Sequence, residues 1–160
     1  MDLNKQVKTK ELLIAIAIPM AVGGAAAFLS RNGFREFEKL YKPLLTPPGW
    51  VFAVVWTVLY VLMGLASYLV YTSEASAPRR RRALKVYGAQ LVANFLWPVL
   101  FFALGLHLAA LLWLLVLGLL ALLCYTLFRY ISPRAGQLLL PYLIWTLFAV
   151  YLNLGIVLLN

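Results

Sequence analysis

The chain has 160 residues, of which 64% are hydrophobic and 12% are charged, and its formal net charge is +9. Soluble domains usually carry about 25% charged residues, so a soluble protein of this composition would expose too much apolar surface. The basic excess does not indicate a nucleic-acid partner, because Lys and Arg cluster at the ends of apolar runs instead of alternating with aromatic residues.

Four long runs without a charged residue predict the membrane helices. They cover residues 12–30, 43–73, 86–128 and 135–160 and contain 19, 31, 43 and 26 residues. A spanning helix needs about 20 apolar residues, because a hydrocarbon layer of ~30 Å is crossed at ~1.5 Å per residue. The third run has room for two helices. The sequence therefore predicts an all-α membrane protein, a bundle of five transmembrane helices that forms one domain over residues 1–160.

The first predicted helix covers about residues 11–30 and is followed by a polar loop at about 31–46. We expect the helix to be retained, because its apolar run is longer than the ~7–15 residues of a signal peptide. The loop is long for so small a protein, which is typical of a lid. Its apolar residues are spaced so that one side can face the membrane, which favours a short interfacial helix: Phe34, Phe37, Leu40 and Tyr41.

Turn residues separate the remaining helices. Pro47-Pro48-Gly49 opens the second helix, because proline suits a helix start, where the first amides lack partners anyway. Gly105-Leu106-His107 is the turn signal inside the longest uncharged run and predicts a tight hairpin, and Ser132-Pro133 breaks the chain again. The polar residues 73–78 and the Arg79–Arg82 run precede the third helix. The predicted helices lie at about residues 47–72, 83–104, 108–129 and 134–158.

Lys and Arg predict the orientation of the bundle. The side that holds the N-terminus and the second and fourth loops has ten of them, counting Lys5, and the opposite side has four. Because basic residues are retained on the cytoplasmic side, we expect the N-terminus inside and the C-terminus outside. We expect an integral multi-pass protein of a bacterial cell membrane.

Acidic residues are missing from the interior of the predicted spans, and this disfavours several classes of membrane protein. A coupled ion pump usually needs an intramembrane ionisable group, and a charge-selective channel needs a ring of charges. One histidine, His107, and one cysteine, Cys124, cannot form a metal cluster without buried acids. We therefore expect no metal site, no Ser-His-Asp catalytic site and no required cofactor.

Aromatic and amide side chains recur at helical spacing and predict a binding cavity. On the second helix Trp56 and Tyr60 share a face. Further members lie on the third and fifth helices: Gln90, Asn94, Trp97, Trp145, Ala149 and Asn153. A cavity walled by indoles and a few amides suits a flat, largely apolar ligand with one or two polar groups. Alternatively, these side chains only hold the helices together through interhelical hydrogen bonds.

Ala89 and Ala93 form a step of small residues on the third helix. Small residues at this spacing let two membrane helices approach closely. The step predicts either a dimer seam or a contact with another helix of the same chain.

Three motifs in order resemble the TspO/MBR family of tryptophan-rich sensory proteins and translocator proteins. The first is Lys42-Pro43 and Pro47-Pro48-Gly49-Trp50, continued by Trp56, Tyr60 and Met63-Gly64. The second is Gln90-Leu91, Asn94, Trp97 and Phe101-Phe102. The third is Leu140-Pro141-Tyr142, Trp145, Phe148-Ala149, Asn153 and Asn160. Together they cover nearly the whole chain.

The resemblance implies a homodimer of five-helix chains that binds porphyrins such as protoporphyrin IX, and in some members sterols or synthetic drug-like ligands. It implies a pocket under the first loop, where Trp56 and Trp145 meet the ligand. Tyr60, Asn94 and Ala149 would complete the pocket, and Pro47 and Pro48 would lie at its mouth. Heavy use of the third helix in bacterial dimers favours the Ala89/Ala93 seam. The family's sterol motif is not matched, because no Lys or Arg follows Tyr151.

Three functional hypotheses follow. In the first, the protein binds a porphyrin or a related apolar ligand for transport, sensing or stress regulation, and basic loop residues meet the propionates: Arg31, Arg35, Lys39 and Lys42. In the second, it degrades porphyrin in light, with Trp56 and Trp145 as the oxidisable residues. In the third, it is a structural or partner-binding membrane protein.

Overall fold

The computed structural model describes residues 8–160, and within that range the chain is helical with no β-strand. Residues 1–7, which include the Lys5 counted for the orientation, lie outside the described residues. Five helices are long and apolar enough to cross a membrane, so the five-helix membrane bundle is confirmed. In chain order the helices are α1 (Thr9–Ser30), α2 (Gly33–Lys39), α3 (Gly49–Tyr71), α4 (Ala77–Pro98), α5 (His107–Ile131) and α6 (Pro133–Leu159).

The start of α4 corrects the predicted boundary. The helix begins at Ala77 and not at about residue 83, so Arg79–Arg82 belong to its first turns instead of the preceding loop. Pro78 lies within the first two helical positions, where proline costs no hydrogen bond. Arginine is also a good helix former, so the charged run extends the helix beyond the apolar segment.

A π-helical turn over Val99–Ala103 continues α4, and the sequence does not predict it. The turn directly follows Pro98, which has no N–H to donate to the carbonyl of Asn94. The Leu104 N–H then donates to the Val99 carbonyl at 3.0 Å, which is the wider spacing of a π-helix. The predicted hairpin follows at once, and Gly105 adopts a left-handed backbone with φ of +64°.

Helices α1 and α3 cross closely in the half of the bundle away from the α2 loop. A Cβ added to Gly64 would lie 2.6 Å from Ile16 Cα, so only glycine allows this approach of the two backbones. One turn from Gly64 on α3, the Tyr60 ring lies directly against Gly23 of α1. Beyond this point, toward the loop, residues of the two helices line a cavity.

The loop between α1 and α3 covers one end of the bundle, and it contains the predicted short helix as α2. We call residues 33–48 the lid. The Tyr41 N–H donates to Asn160 Oδ1 and the Asn160 amide donates back to the Tyr41 carbonyl, both at 3.0 Å. The Tyr151 hydroxyl donates to the Leu44 carbonyl at 2.7 Å. The lid is therefore fastened to the C-terminal half of α6.

Candidate ligand-binding cavity

A cavity of about 380 Å³ lies beneath the lid between α1, α3 and α4. This volume falls in the range of small-molecule sites, roughly 300–1,000 Å³. Its walls are mainly apolar and aromatic side chains, with a few hydroxyl and amide groups. Four of the predicted ligand-binding residues line it: Trp56, Tyr60, Asn94 and Trp97. The spacing argument on the second and third predicted helices therefore identifies side chains that share one hollow.

Trp56 provides an indole to the cavity wall. Its ring stacks on Tyr60 with centroids 5.4 Å apart and an interplanar angle of 30°. It also meets Tyr142 edge-on at 6.3 Å. These contacts fix the indole on the α3 side of the cavity, where a flat ligand can lie against it.

The amide of Asn94 joins three helices at the cavity wall. The Tyr60 hydroxyl donates to Asn94 Oδ1 at 2.8 Å, and Asn94 Nδ2 donates to the Tyr142 hydroxyl at 3.3 Å. That hydroxyl donates in turn to Gln90 Oε1 at 2.8 Å. Buried polar groups in lipid need such partners. Asn94 therefore holds the bundle together and also lines the cavity, and ligand binding at this residue stays a prediction.

Trp145 and Ala149 lie in a different place from the main cavity. They line a cleft of about 30 Å³, and Trp56 and Trp97 line the same cleft. The Trp145 ring packs against Phe52 and Phe148, with centroids 5.9 and 5.4 Å away. A space of this size holds about one water molecule and no organic ligand. The structure thus brings Trp56 and Trp145 together only across this narrow cleft.

Asn153 also lines the narrow cleft, and its amide is used for packing. Its Oδ1 accepts a hydrogen bond from Trp97 Nε1 at 3.2 Å, and its Nδ2 donates to the His107 carbonyl at 2.9 Å. These bonds tie α6 to α4 and to the start of α5. Asn153 therefore positions the Trp97 indole, and Trp97 in turn forms part of the cavity wall.

Pro47 and Pro48 line a second hollow of about 330 Å³ under the lid, which we call the vestibule. The vestibule and the cavity share four wall residues, Phe34, Gly49, Phe52 and Phe102. The two hollows therefore adjoin, and the two prolines line the vestibule but not the cavity.

Lys42 is the loop cation that lines the vestibule. Its ammonium donates to the carbonyls of Glu38 and Leu40 at 2.7 and 3.2 Å. Lys39 instead forms an exposed ion pair with Glu36 at 2.8 Å, and Arg31 donates to the Phe28 carbonyl at 2.7 Å. Arg35 is exposed. Of the four basic residues expected to meet an anionic ligand, the geometry favours Lys42.

The sequence interpretation missed the wall that α1 provides. Gly24, Ala26, Ala27 and Ser30 line the cavity. The run of small residues in α1 is the available signal, but small residues are compatible with close helix contact as well as with open space. Gly23 is in close contact with Tyr60, whereas a Cβ added to Gly24 would meet no atom of the described chain within 4 Å.

The Ala89/Ala93 step does not lie on one exposed face. Ala93 is 2% exposed, and its carbonyl accepts a hydrogen bond from Trp113 Nε1 at 2.8 Å, so it packs inside its own bundle against α5. Ala89 is exposed. Of this pair only Ala89 is available to a second chain, and the homodimer implied by the resemblance stays a prediction.

Comparison with known proteins assigns the family. The model of the TspO/MBR family matches residues 15–159. "Tryptophan-rich protein TspO" of Archaeoglobus fulgidus is 36% identical over 151 residues, which cover 94% of this chain and 97% of that protein. "Translocator protein" of Ovis aries is 38% identical over 132 residues, covering 79% and 75%. "Tryptophan-rich sensory protein" of Cereibacter sphaeroides is 39% identical over 124 residues, covering 78% and 76%. With its family motifs distributed over α3, α4 and α6 of a five-helix membrane bundle, this chain belongs to the TspO/MBR family.

Proposed function

We propose that the protein binds a flat, anionic amphiphile of the porphyrin class, in support of sensing or transport at the membrane. The single observation that carries this proposal is the pairing of two adjoining hollows of different character. The inner one is a mainly apolar cavity with Trp56 in its wall, and the outer one is a vestibule whose charged lining residues are Lys42 and Glu38. A tetrapyrrole has the matching shape, because its apolar ring carries carboxylates along one edge.

The cavity offers the ring a flat surface and a polar edge. Trp56 supplies the surface for stacking, and Tyr60 and Asn94 supply hydroxyl and amide groups on the same wall. Asn94 Oδ1 already accepts from Tyr60, and one of the two amide hydrogens is directed to Tyr142. Tyr60 and Asn94 therefore have few hydrogen-bonding positions left for a ligand, which suits a ligand with few polar groups.

The vestibule offers a counter-ion for the carboxylates. The Lys42 ammonium has three donor hydrogens and makes hydrogen bonds to two neighbouring carbonyls. A charge-assisted hydrogen bond to a carboxylate is about twice as strong as a neutral one. Lys42 would therefore fix the orientation of the ring, with its acidic edge toward the lid and its apolar edge in the bundle.

Names of relatives support the broad role of the proposed binding. One relative is named a tryptophan-rich sensory protein and another a translocator protein, which fits a ligand that is sensed or moved. Binding in a cavity beneath a fastened lid is compatible with either role, because both require a ligand held within the membrane.

A fluorescence titration with protoporphyrin IX tests the proposal. In lipid nanodiscs we expect saturable quenching of tryptophan emission, with weaker binding and a smaller amplitude in Trp56→Phe. Trp50→Phe is the matched control, because Trp50 is 69% exposed and does not line the cavity. An absence of saturable quenching would contradict the proposal, and so would equal losses of affinity in the two variants.

A further inference from the structure

The two sides of the cavity differ in the size of the side chains that line them. Toward the vestibule stand three phenyl rings, those of Phe34, Phe52 and Phe102. Phe34 and Phe102 stack with centroids 4.3 Å apart and an interplanar angle of 26°. A rigid tetrapyrrole would have to displace these packed rings to pass from the vestibule into the cavity.

Toward the lipid, the same cavity is bounded by small residues that are themselves exposed. Gly24 and Ala27 are on α1, and Ala53 and Thr57 are on α3. Exposed small residues on both helices show that no large side chain of the described chain covers this part of the cavity wall. We call the space bounded by these four residues the lateral gap.

The packing of α1 on α3 explains why the gap exists. The helices touch where Gly64 meets the Ile16 backbone and where Gly23 meets Tyr60. Beyond Gly23, a Cβ at Gly24 would find open space among the described residues. The two helices are therefore in close contact at Gly64 and Gly23, whereas no described atom closes the space beside Gly24.

A buried hydroxyl lies on the wall behind the lateral gap. Ser30 is 0% exposed and lines the cavity, and its Oγ has no hydrogen-bond partner among residues 8–160. A buried hydroxyl without a partner is costly, so a polar atom of a ligand that reached Ser30 Oγ would be bound favourably. This observation is independent of the small residues.

The lid is held in place at several points. Asn160 forms paired hydrogen bonds with the Tyr41 backbone, Tyr151 bonds to the Leu44 carbonyl, and Gly155 packs against the Pro43 ring. A route that requires the lid to move away from α6 would require these contacts to break. A route through the lateral gap leaves all of them intact.

We propose that the ligand enters the cavity from the bilayer, edge-on through the lateral gap between α1 and α3. This inference rests on the proposed function and adds the source of the ligand, which is a flat amphiphile already dissolved in the membrane. The small residues at the gap set the thickness of the guest, and the lid acts as a closed wall and not as a door.

Stopped-flow quenching by protoporphyrin IX in proteoliposomes tests this route. Ala27→Phe and Ala53→Phe place a ring in the lateral gap, and we expect both association and dissociation to slow by about tenfold. Val54→Phe is the matched control, because Val54 is the exposed neighbour of Ala53 but does not line the cavity. Tyr151→Phe and Asn160→Ala each loosen the lid without touching the gap, and we expect them to leave the association rate unchanged.

The outcomes separate this route from its alternatives. Association that is unaffected by either gap variant, or accelerated in the loosened-lid variants, overturns lateral access and leaves the proposed function standing. Faster dissociation in the gap variants means that the new ring occupies the ligand's place, and this too overturns the route. An absence of quenching in the unmodified chain overturns the proposed function, and the inference with it.

Discussion

At the scale of single residues, a polar side chain of this bundle can join helices and line the cavity at once. Asn94 bonds to Tyr60 on α3 and to Tyr142 on α6, yet it also lines the cavity. In lipid an amide without partners is costly, and this favours interhelical hydrogen bonds for amides at a cavity wall. For this reason an amide on a membrane helix does not by itself indicate a ligand site. A cavity beside the amide is the observation that favours one.

Lys42 gives the most selective residue-scale prediction. Lys42→Met should weaken binding of protoporphyrin IX by about tenfold, because a charge-assisted hydrogen bond contributes roughly 1.5–3 kcal/mol in a partly buried site. The dimethyl ester of protoporphyrin should lose little affinity, since it has no carboxylate to pair. Fluorescence titration of both porphyrins measures the difference.

Lys39→Met is the control for this prediction. Lys39 lies in the same lid, but its ammonium pairs with Glu36 in an exposed ion pair. Equal effects of the two substitutions would show that the general charge of the lid matters and not a contact at Lys42. An equal loss with the ester would also contradict the assigned role.

At the scale of helices, glycine positions decide where α1 contacts α3. Gly64→Ala should destabilise the bundle, because the new Cβ would lie 2.6 Å from Ile16 Cα and 2.7 Å from the Ala15 carbonyl oxygen. Both are backbone atoms, so the helices must move apart. Thermal unfolding in detergent should show a lower midpoint, by several degrees for a cost of about 1–3 kcal/mol.

Gly88→Ala in α4 is the matched control, because a Cβ at this position meets no described atom within 4 Å. Alanine is the better helix former by about 1 kcal/mol, so this variant should unfold at the same or a higher temperature. A midpoint that falls equally in both variants would contradict the close crossing of α1 and α3.

The sequence predicted most of the helices because their limits coincide with changes in composition. α1, α3, α5 and α6 begin and end within a few residues of the predicted positions. The prediction failed at α4, where an arginine run extends the helix past the apolar segment. It also missed the π-helical turn after Pro98, because hydrogen-bond register depends on the whole packed environment and leaves no periodic signal.

The candidate site was predictable only where its residues share one helix face. Trp56 and Tyr60 lie four apart on α3, and the structure places both on the cavity wall. The position of Trp145 could not be derived, because it depends on the rotation of α6 against α3. The contribution of Gly24 and Ala27 was hidden as well, since small residues are compatible with close contact and with open space.

At the scale of the whole molecule, the two ends of the bundle differ in charge and in covering. One end carries the Arg79–Arg82 run together with Arg129 and Arg134, and the other is closed by the lid. Because basic residues favour the cytoplasmic side, we predict that the lid faces outward.

Thiol labelling in intact cells tests this orientation. In a Cys124→Ala background, a membrane-impermeant maleimide should label Leu44→Cys, because Leu44 is 84% exposed on the lid. Ser76→Cys, at the exposed start of α4, should be labelled only after the cells are lysed. The reverse pattern would contradict the predicted orientation.

The most direct test of the central claim is an experimental structure of the protein with protoporphyrin IX in a lipid environment. We predict that the ring lies against Trp56 in the cavity between α1, α3 and α4, with a carboxylate close to Lys42. A ring found on the outer, lipid-facing surface of the bundle, with the cavity left empty, would contradict the account.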